Sequence, residues 1–563
     1  MIQFKPPFVL VIALPILFFV VGCKTKHAAK EPQIVEKPAE MDKHVGENIQ
    51  AVLQFALDNS GNINDSIHLD LLPVVNNFYK EEDYINIWST NEVWQPLADS
   101  LYNFIEQSKK YGLFPNDYHF KNLKALKVKL VKDSVARTDA TLWTQADLML
   151  TDGFMQLSKH LKEGRLLPDS LSLSHDSTSD NFFIDHLKTA LAQKSIKQVL
   201  DSLEPKHKGY LELKNSIPDF LDSMDRKTYT YVVYPNKDSL ALLKNLRKRF
   251  IEEGLMDASV TFDDSIILAD EIKKVEKKKG LKPDGKISAY LIKKLNSSDV
   301  EKFKRIAITL DRFKQLPPQL PEKYIWVNLP SYYLQVWDAD TVALTSKIIV
   351  GKPTTRTPTL NSYITNMVTY PKWTIPESII KKDVLPGLKK SPGYLARKGF
   401  SLVDSKGETV DPYSVNWTKY SKGIPYKVVQ GSGDANALGI YKFNFNNPYS
   451  VYLHDTNQRY LFKNTARALS HGCVRVQEWE KLAFYIARND SINLKAGEEL
   501  KYNTDSIINW LANKEKKTIM VKNIFPLFIR YFTCEGKDGK IIFYDDIYNE
   551  DKILREKYFA NRN

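Results

Sequence analysis

The stretch Tyr452-Leu453-His454-Asp455-Thr456 is followed, after thirteen residues, by Ser470-His471-Gly472-Cys473-Val474-Arg475-Val476. It predicts a histidine at the end of a β-strand and a cysteine in a glycine-flanked polar turn. A thiol is a strong nucleophile only as the thiolate, which an ordinary cysteine with a pKa near ~8.5 scarcely supplies at neutral pH. A neighbouring imidazole and backbone N–H groups are the usual remedies. The residues therefore predict Cys473 as a nucleophile and His454 as its base, with turn amides to hold an oxyanion.

Other interpretations of the same cysteine are a packed thiol, a metal ligand or half of a disulfide. No metal is expected, because no second cysteine lies two to four residues away to complete a tetrahedral set. The other two cysteines are Cys23 and Cys534, too few for a disulfide framework. A Cys473–Cys534 bridge is the alternative to a free nucleophile, and Cys534 is otherwise expected to be an inert, partly buried thiol.

The order of His454, fifteen residues, Ser470-His471-Gly472-Cys473 and then Arg475 closely resembles the signature of the L,D-transpeptidases, the YkuD-type cysteine transpeptidases of peptidoglycan. The resemblance implies that Cys473 is the nucleophile and His454 the base, and that the backbone carbonyl of Asp455 orients the imidazole. It implies an oxyanion hole made of the amides of Gly472 and Cys473. Five residues are expected to bind substrate or line its cleft: Arg475, His471, Ser470, Tyr452 and Trp373. A structural salt bridge remains the alternative for Arg475, and His471 remains an alternative base.

The reaction implied by this resemblance is attack on a peptidoglycan stem peptide, between its third residue and the terminal D-alanine. A thioester forms on the cysteine, D-alanine leaves, and the side-chain amine of another stem gives a 3-3 cross-link. No cofactor is implied, and inhibition by carbapenems is expected. The alternatives are an L,D-carboxypeptidase or related cysteine hydrolase of stems, and a non-catalytic lipoprotein that only binds peptidoglycan.

Length and charge predict several domains and an acidic partner. At 563 residues and 64.8 kDa the chain exceeds one hydrophobic core, so two to four domains are expected. Eighty Lys and Arg against 67 Asp and Glu give a net charge of +13. That sign suits acidic wall polymers or an anionic membrane surface. Nucleic acid is not expected, because the lysines are dispersed and no nucleic-acid motif occurs.

The amino terminus predicts export. Lys5 precedes the apolar run Phe8–Val21, which is too short to span a bilayer and contains Pro15. The following Val20-Val21-Gly22-Cys23 resembles the lipobox of bacterial lipoproteins, which implies a signal peptide over 1–23 and lipidation of Cys23. An uncleaved membrane anchor is the alternative. Either interpretation places the body in the periplasm, tethered to the inner or the outer membrane, and residues 24–45 are expected to be a disordered tether.

Helical periodicity dominates residues 46–237. Apolar residues recur three and four apart in Leu148–Leu161, before Gly164 and Pro168, and also in Val74–Trp88 and Leu97–Ser108. The phrases at 111–119 and 160–168 resemble the scaffold domain of the larger L,D-transpeptidases. Residues 238–298 predict three short helices joined by glycine turns, and their order resembles a peptidoglycan-binding domain. A bundle that binds nothing is the alternative.

Alternating strands predict a mainly β unit over 303–500, including Tyr333–Trp337 and Val342–Val350. The polar stretch 376–430 interrupts the β pattern and is expected to be a capping insertion over the active site. Residues 501–563, with a hairpin at Asp538-Gly539, are expected to complete the catalytic fold. The predicted fold class is thus multidomain α+β, with a helical scaffold, a small three-helix peptidoglycan-binding bundle and a mainly β YkuD-type catalytic domain with an inserted capping subdomain.

Overall fold

The computed structural model describes residues 32–167, 178–260, 262, 265–494 and 499–562. The described residues form two compact units, one within 32–99 and 121–152 and the other within 100–120 and 153–562. The expected export signal, Cys23 and the first part of the expected tether lie outside the described residues. No helix in the described residues is long and apolar enough to cross a membrane.

The first helix begins earlier than the sequence predicted. Helix α1 runs from Pro38 to Asp58 and buries Met41, Val45 and Ile49 on one face. Proline is tolerated in the first turn because its missing N–H has no intrahelical partner there. The prediction of a disordered tether is therefore wrong for residues 38–45, which share the buried stripe of the rest of the helix.

The helical region agrees with the predicted all-α texture. The helix predicted over Leu148–Leu161 lies within a longer one that ends at Lys162, and Gly164 follows with φ +80°. The helix predicted over Val74–Trp88 is shorter, because Asp83 and Tyr84 adopt positive φ. The other elements are α2 (Leu72–Glu81), β1 (Ser89–Thr90), β2 (Val93–Trp94), α3 (Pro96–Glu106), α4 (Phe120–Lys132), α5 (Ser134–Arg137), α6 (Ala140–Lys162), α7 (Asp180–Ala192), α8 (Ile196–Ser202), α9 (Lys208–Asn215) and α10 (Ile217–Ser223).

Three helices form a small bundle where three were predicted. They are α11 (Ser239–Glu252), α12 (Ser265–Lys278) and α13 (Ala289–Leu295). The bundle has its own apolar core, which includes Leu246, Phe250 and Val275. Helix α14 (Asp299–Lys314) then precedes the β unit, so the first part of the region predicted as β is helical.

The main β region is a nine-stranded sheet. Its strands are β3 (Lys323–Asn328), β4 (Tyr333–Asp338), β5 (Thr341–Gly351), β6 (Leu360–Thr369), β11 (Tyr441–Phe445), β12 (Leu453–His454), β13 (Ala468–Ser470), β14 (Val474–Val476) and β15 (Thr518–Arg530). The strand order is β13-β5-β14-β12-β11-β6-β15-β3-β4, and β4 also pairs with β5. The first half of β5 pairs with β4 and its second half with β14, which closes the sheet around one core.

An ordered subdomain, here called the cap, spans residues 373–430. Its four strands are β7 (Trp373–Thr374), β8 (Phe400–Val403), β9 (Thr409–Val410) and β10 (Lys427–Gln430), and its helices are α15 (Glu377–Ile379), α16 (Leu385–Lys390) and α17 (Tyr394–Lys398). Leu402, Trp417 and Val428 bury a separate small core. The predicted insertion is thus a folded unit, and it begins three residues before the predicted boundary.

The carboxy-terminal segment contains the predicted hairpin. Strands β16 (Cys534–Lys537) and β17 (Lys540–Phe543) flank Asp538-Gly539, both of which have positive φ. Helices α18 (Trp479–Ile492), α19 (Thr504–Ala512) and α20 (Glu550–Tyr558) complete the region. Strand β15 pairs with β3 and β6, so residues beyond 500 supply a central strand of the nine-stranded sheet, as predicted.

Candidate active site

Strand pairing brings the two halves of the signature together. Strand β12 lies parallel to β14, with Leu453 opposite Val474 and His454 opposite Arg475. Leu453 and Val474 are fully buried in the core. Because successive side chains on a strand alternate faces, His454 and Arg475 lie on the other face of the sheet. There they line a cavity of about 270 Å³ together with Cys473 and Tyr452.

The imidazole of His454 is held by its neighbour's backbone. Its Nδ1 donates a hydrogen bond to the carbonyl of Asp455, which is the contact that the sequence predicted. Burial first, and then the charges of Arg475 and Lys442, lower the pKa of His454 to about 3. The ring is therefore neutral at neutral pH, and Nε2 can accept a proton.

The side chain of Asp455 fixes the same corner of the site. Its buried carboxylate accepts hydrogen bonds from Arg459, at 3.0 Å from Nε and 2.6 Å from Nη2. It also accepts one from the amide of Ile440 at 3.1 Å. Gly439 lies against this carboxylate, and an added Cβ there would come within 2.2 Å of Asp455 Oδ2. Arg459 and Gly439 thus position the residue whose carbonyl accepts the hydrogen bond from His454. The sequence analysis did not identify either.

Cys473 is a half-buried free thiol in the cavity. Its Sγ lies 3.9 Å from the carbonyl oxygen of Ser450. Burial raises the pKa of Cys473, while the backbone and hydroxyl of Tyr452 and the charges of Lys442 and Arg475 act in the opposite direction. The resting site therefore pairs a neutral thiol with a neutral imidazole.

The disulfide alternative is wrong, because Cys473 and Cys534 are both free. Cys534 is fully rather than partly buried, and its thiol lies 3.2 Å from the Thr309 hydroxyl. Burial raises the pKa of Cys534 to about 12. Such a thiol is inert, as the sequence predicted.

One of the two predicted oxyanion donors, the Gly472 amide, already forms a hydrogen bond within the turn of residues 470–473. The amide of Gly472 donates to the hydroxyl of Ser470 at 3.1 Å, and that hydroxyl donates to the carbonyl of Cys473 at 2.6 Å. The prediction that Gly472 contributes an oxyanion donor is therefore wrong for this conformation. Ser470 is buried and shapes the turn, and it also lines the cavity, as predicted. Of the two predicted donors, the amide of Cys473 is the one that forms no hydrogen bond among the described residues.

The guanidinium of Arg475 has spare hydrogen-bonding capacity. Its Nη1 donates to Gln458 at 2.9 Å, and its buried Nε has no partner in the described part of the chain. Among the described residues it forms no ion pair, so the structural salt bridge considered for Arg475 is not formed. An unsatisfied buried donor that lines a cavity is suited to a polar group of a ligand.

His471 faces the cap instead of the thiol. Its Nε2 lies 2.8 Å from Asp383 Oδ2, and both side chains are more than a third exposed. This pairing does not favour His471 as the base. Trp373 is the first residue of β7, an edge strand of the cap sheet. Its ring packs against Phe400 with ring centroids 6.1 Å apart, and it lines the cavity. The cap thus forms one wall of the site.

Lys442 is a further residue that the sequence analysis missed. It lies on β11 opposite His454, and its Nζ is 3.9 Å from the centroid of the Tyr452 ring. The Tyr452 ring in turn packs edge-on against His454 at 5.6 Å. The linear sequence gave no signal for Lys442, because its proximity depends on pairing between β11 and β12. Among the described residues no cluster of three His, Cys, Asp or Glu side chains could hold a metal ion.

Residues 73–217 match the scaffold domain family, and residues 322–494 match the family of L,D-transpeptidase catalytic domains. The chain is 36% identical over 250 residues to a Haemophilus influenzae protein named "Putative L,D-transpeptidase", covering 44% of this chain and 48% of that protein. The chain therefore spans about half the length of this curated relative.

Two solved structures are also similar. An L,D-transpeptidase from Mycobacterium smegmatis is 11% identical, with a TM-score of 0.18, over 37% of this chain and 58% of that chain. The catalytic domain of an E. faecium L,D-transpeptidase acylated by ertapenem is 14% identical, with a TM-score of 0.17, over 38% of this chain and 99% of that chain. TM-scores this low support no conclusion about fold or activity.

Proposed function

We propose that the protein forms 3-3 cross-links in peptidoglycan through a thioester on Cys473. The proposal is supported by the matches of residues 322–494 to the family of L,D-transpeptidase catalytic domains and of residues 73–217 to the scaffold domain family. The observation that carries this proposal is the cavity that holds Cys473 and His454 together on one face of the sheet. A buried neutral imidazole with one nitrogen occupied by a carbonyl is suited to accept a proton from a thiol.

In the first half-reaction, the Sγ of Cys473 attacks the carbonyl that precedes the terminal D-alanine of a stem. Nε2 of His454 takes the thiol proton, and the carbonyl of Asp455 keeps the ring oriented. The amide of Cys473 is the proposed oxyanion donor. As the C–N bond breaks, the imidazolium returns the proton to the amine of D-alanine, which leaves.

In the second half-reaction, the side-chain amine of another stem attacks the thioester and loses a proton to His454. The C–S bond breaks and the cysteine regains its proton. The unpartnered Nε of Arg475 is proposed to bind a carboxylate or carbonyl of the stem, and Tyr452 and Trp373 line its path. Carbapenems are proposed to acylate the same sulfur. If water replaces the amine, the product is a trimmed stem, as in an L,D-carboxypeptidase.

The test is analysis of muropeptides after incubation of purified sacculi or tetrapeptide stems with the protein or with Cys473→Ala. Wild type is expected to produce 3-3 dimers and free D-alanine, and the variant neither. Trimmed stems without dimers would favour the carboxypeptidase. Dimers from Cys473→Ala would refute the assignment of the nucleophile. An unchanged melting temperature of the variant serves as the folding control.

The accessory regions are proposed to keep the enzyme at its polymer. The α11–α13 bundle is proposed to bind peptidoglycan, supported by its order of three helices and a separate core. The sequence around Cys23 supports export and a lipid anchor, which would hold the enzyme in the periplasm. Binding of the full chain to sacculi, compared with a chain lacking residues 238–298, tests the role of the bundle.

A further inference from the structure

Lys442 is a cation on the strand next to His454, beside the cavity that holds Cys473. It occupies β11, next to β12, and its partner in the strand register is His454. Its Nζ lies 3.9 Å from the centre of the Tyr452 ring. The side chain is only partly exposed. Among the described residues it forms no ion pair, and the face of an aromatic ring compensates only part of the lost hydration of an ammonium group.

The group that would act on this ammonium is the thiolate form of Cys473. Burial lowers the pKa of Lys442, and a negative charge on Cys473 would oppose this effect. The Tyr452 side chain connects the two, because its ring covers Nζ and it lines the same cavity as the thiol. A partly buried lysine that forms no ion pair among the described residues is therefore arranged to favour an anion that forms on the sulfur.

His454 is poorly placed to be that counter-charge before substrate binds. Its ring is buried, lies among the cations of Lys442 and Arg475, and remains neutral in the free enzyme. An imidazolium would add a third positive charge to this corner. The other titratable groups that line the cavity are Tyr449, Tyr452, Glu377 at the cap wall and His471, which pairs with Asp383.

We propose that Lys442 is the positioning residue that stabilises the Cys473 thiolate, acting across the Tyr452 ring without touching substrate. This inference rests on the proposed role of Cys473 as nucleophile. When the thiol loses its proton to Nε2 of His454, the electron pair stays on sulfur, and the fixed ammonium lowers the energy of that charge. Lys442 remains protonated throughout, so it acts as an electrostatic group and exchanges no proton.

The test is the pH profile of alkylation of Cys473 by iodoacetamide in the full chain, between about pH 6 and pH 10. Peptide mass spectrometry separates Cys473 from Cys23 and Cys534. Lys442→Met keeps much of the side-chain length and removes the charge. Loss of one partly buried charge is expected to raise the apparent pKa by about one unit and to slow alkylation about tenfold below it.

Two variants separate charge from packing. Lys442→Arg keeps the cation and is expected to stay within about twofold of wild type. Lys517→Met removes a lysine that lies 5.8 Å from the Trp510 ring, away from the site, and is expected to change nothing. If Lys442→Met does not fold, Lys442→Gln replaces it. An unshifted profile in the folded neutral variant, or an equal shift in Lys442→Arg, would overturn the proposal.

The alkylation assay does not depend on transpeptidation. If wild type makes no 3-3 dimers but Lys442→Met still shifts the profile, the proposed function fails and the role of Lys442 stands. If dimers form and the profile does not shift, the role of Lys442 fails and the proposed function stands.

Discussion

Gly439→Ala is expected to disable the active site although residue 439 contacts no substrate in the proposed mechanism. Gly439 has φ +65° in the turn before β11. A Cβ there would lie 2.2 Å from Asp455 Oδ2 and 2.6 Å from the amide nitrogen of Thr456. The carboxylate cannot retreat freely, because Arg459 and the amide of Ile440 both hold it. The backbone after His454 must therefore move.

Two costs add in this variant. A left-handed conformation costs a residue with a Cβ about 1–2 kcal/mol. Forcing an extra carbon into a packed site costs about 1–3 kcal/mol. The expected loss in free energy of unfolding of the catalytic region is therefore about 2–5 kcal/mol. Displacement of the Asp455 carbonyl also turns the His454 ring, and a misplacement of about 1 Å can cost about 100-fold in rate.

Gly399→Ala is the matched control. Gly399 also has φ +65°, but a Cβ there would meet only Gln430 Nε2, at 3.9 Å, which is ordinary van der Waals contact. This control isolates the backbone cost of about 1–2 kcal/mol. Thermal unfolding measures stability, and the rate of Cys473 acylation by a carbapenem measures the site. Gly439→Ala is expected to be the less stable variant and to acylate at least tenfold more slowly. Equal behaviour of the two variants would refute the reasoning.

Two further outcomes follow from the charges at the site. Arg459→Ala leaves the Asp455 carboxylate with one backbone donor. Because Arg459 is 59% exposed, solvent weakens this ion pair, and the free energy of unfolding is expected to fall by only about 1–2 kcal/mol, measured by thermal unfolding. A fall above about 4 kcal/mol would contradict the argument that solvent weakens the pair. The pKa of His454 is lowered to about 3. On acidification, kcat/KM for a stem donor is therefore expected to stay unchanged through about pH 6.5, where an ordinary histidine becomes protonated. A fall by half near pH 6.5 would show that His454 titrates like an ordinary histidine.

The sequence predicted secondary structure best where the pattern that decides it is local. Apolar spacing predicted the helix over Leu148–Leu161, and Asp538-Gly539 predicted a hairpin, because both features are local. Composition misled at residues 38–45, where charged residues separate Met41 and Val45 and hide the first turns of α1. The cap looked like a polar interruption, because the residues of its small core, such as Trp417, lie far apart in sequence.

The candidate site divides in the same way. His454 and Cys473 could be predicted because their spacing matches a signature, and the contact of the Asp455 carbonyl with His454 was implied by the same resemblance. Lys442 and Gly439 could not, because their proximity depends on the pairing of β11 with β12 and on a turn conformation. The use of the Gly472 amide by Ser470 is likewise a property of the folded turn.

The charges of the site suggest why both reactive groups are neutral at rest. A thiolate–imidazolium pair in a partly buried cavity would have to repay the desolvation of two ions. Here burial disfavours both charged forms, which lowers the pKa of His454 and raises that of Cys473. The charges of Lys442 and Arg475 lower the pKa of Cys473 and so favour its anionic form. Fixed cations favour the negative charge that develops during attack more than they favour the neutral ground state. In the proposed mechanism, these cations would therefore stabilise the transition state, while the thiol stays largely protonated until a donor enters the cavity.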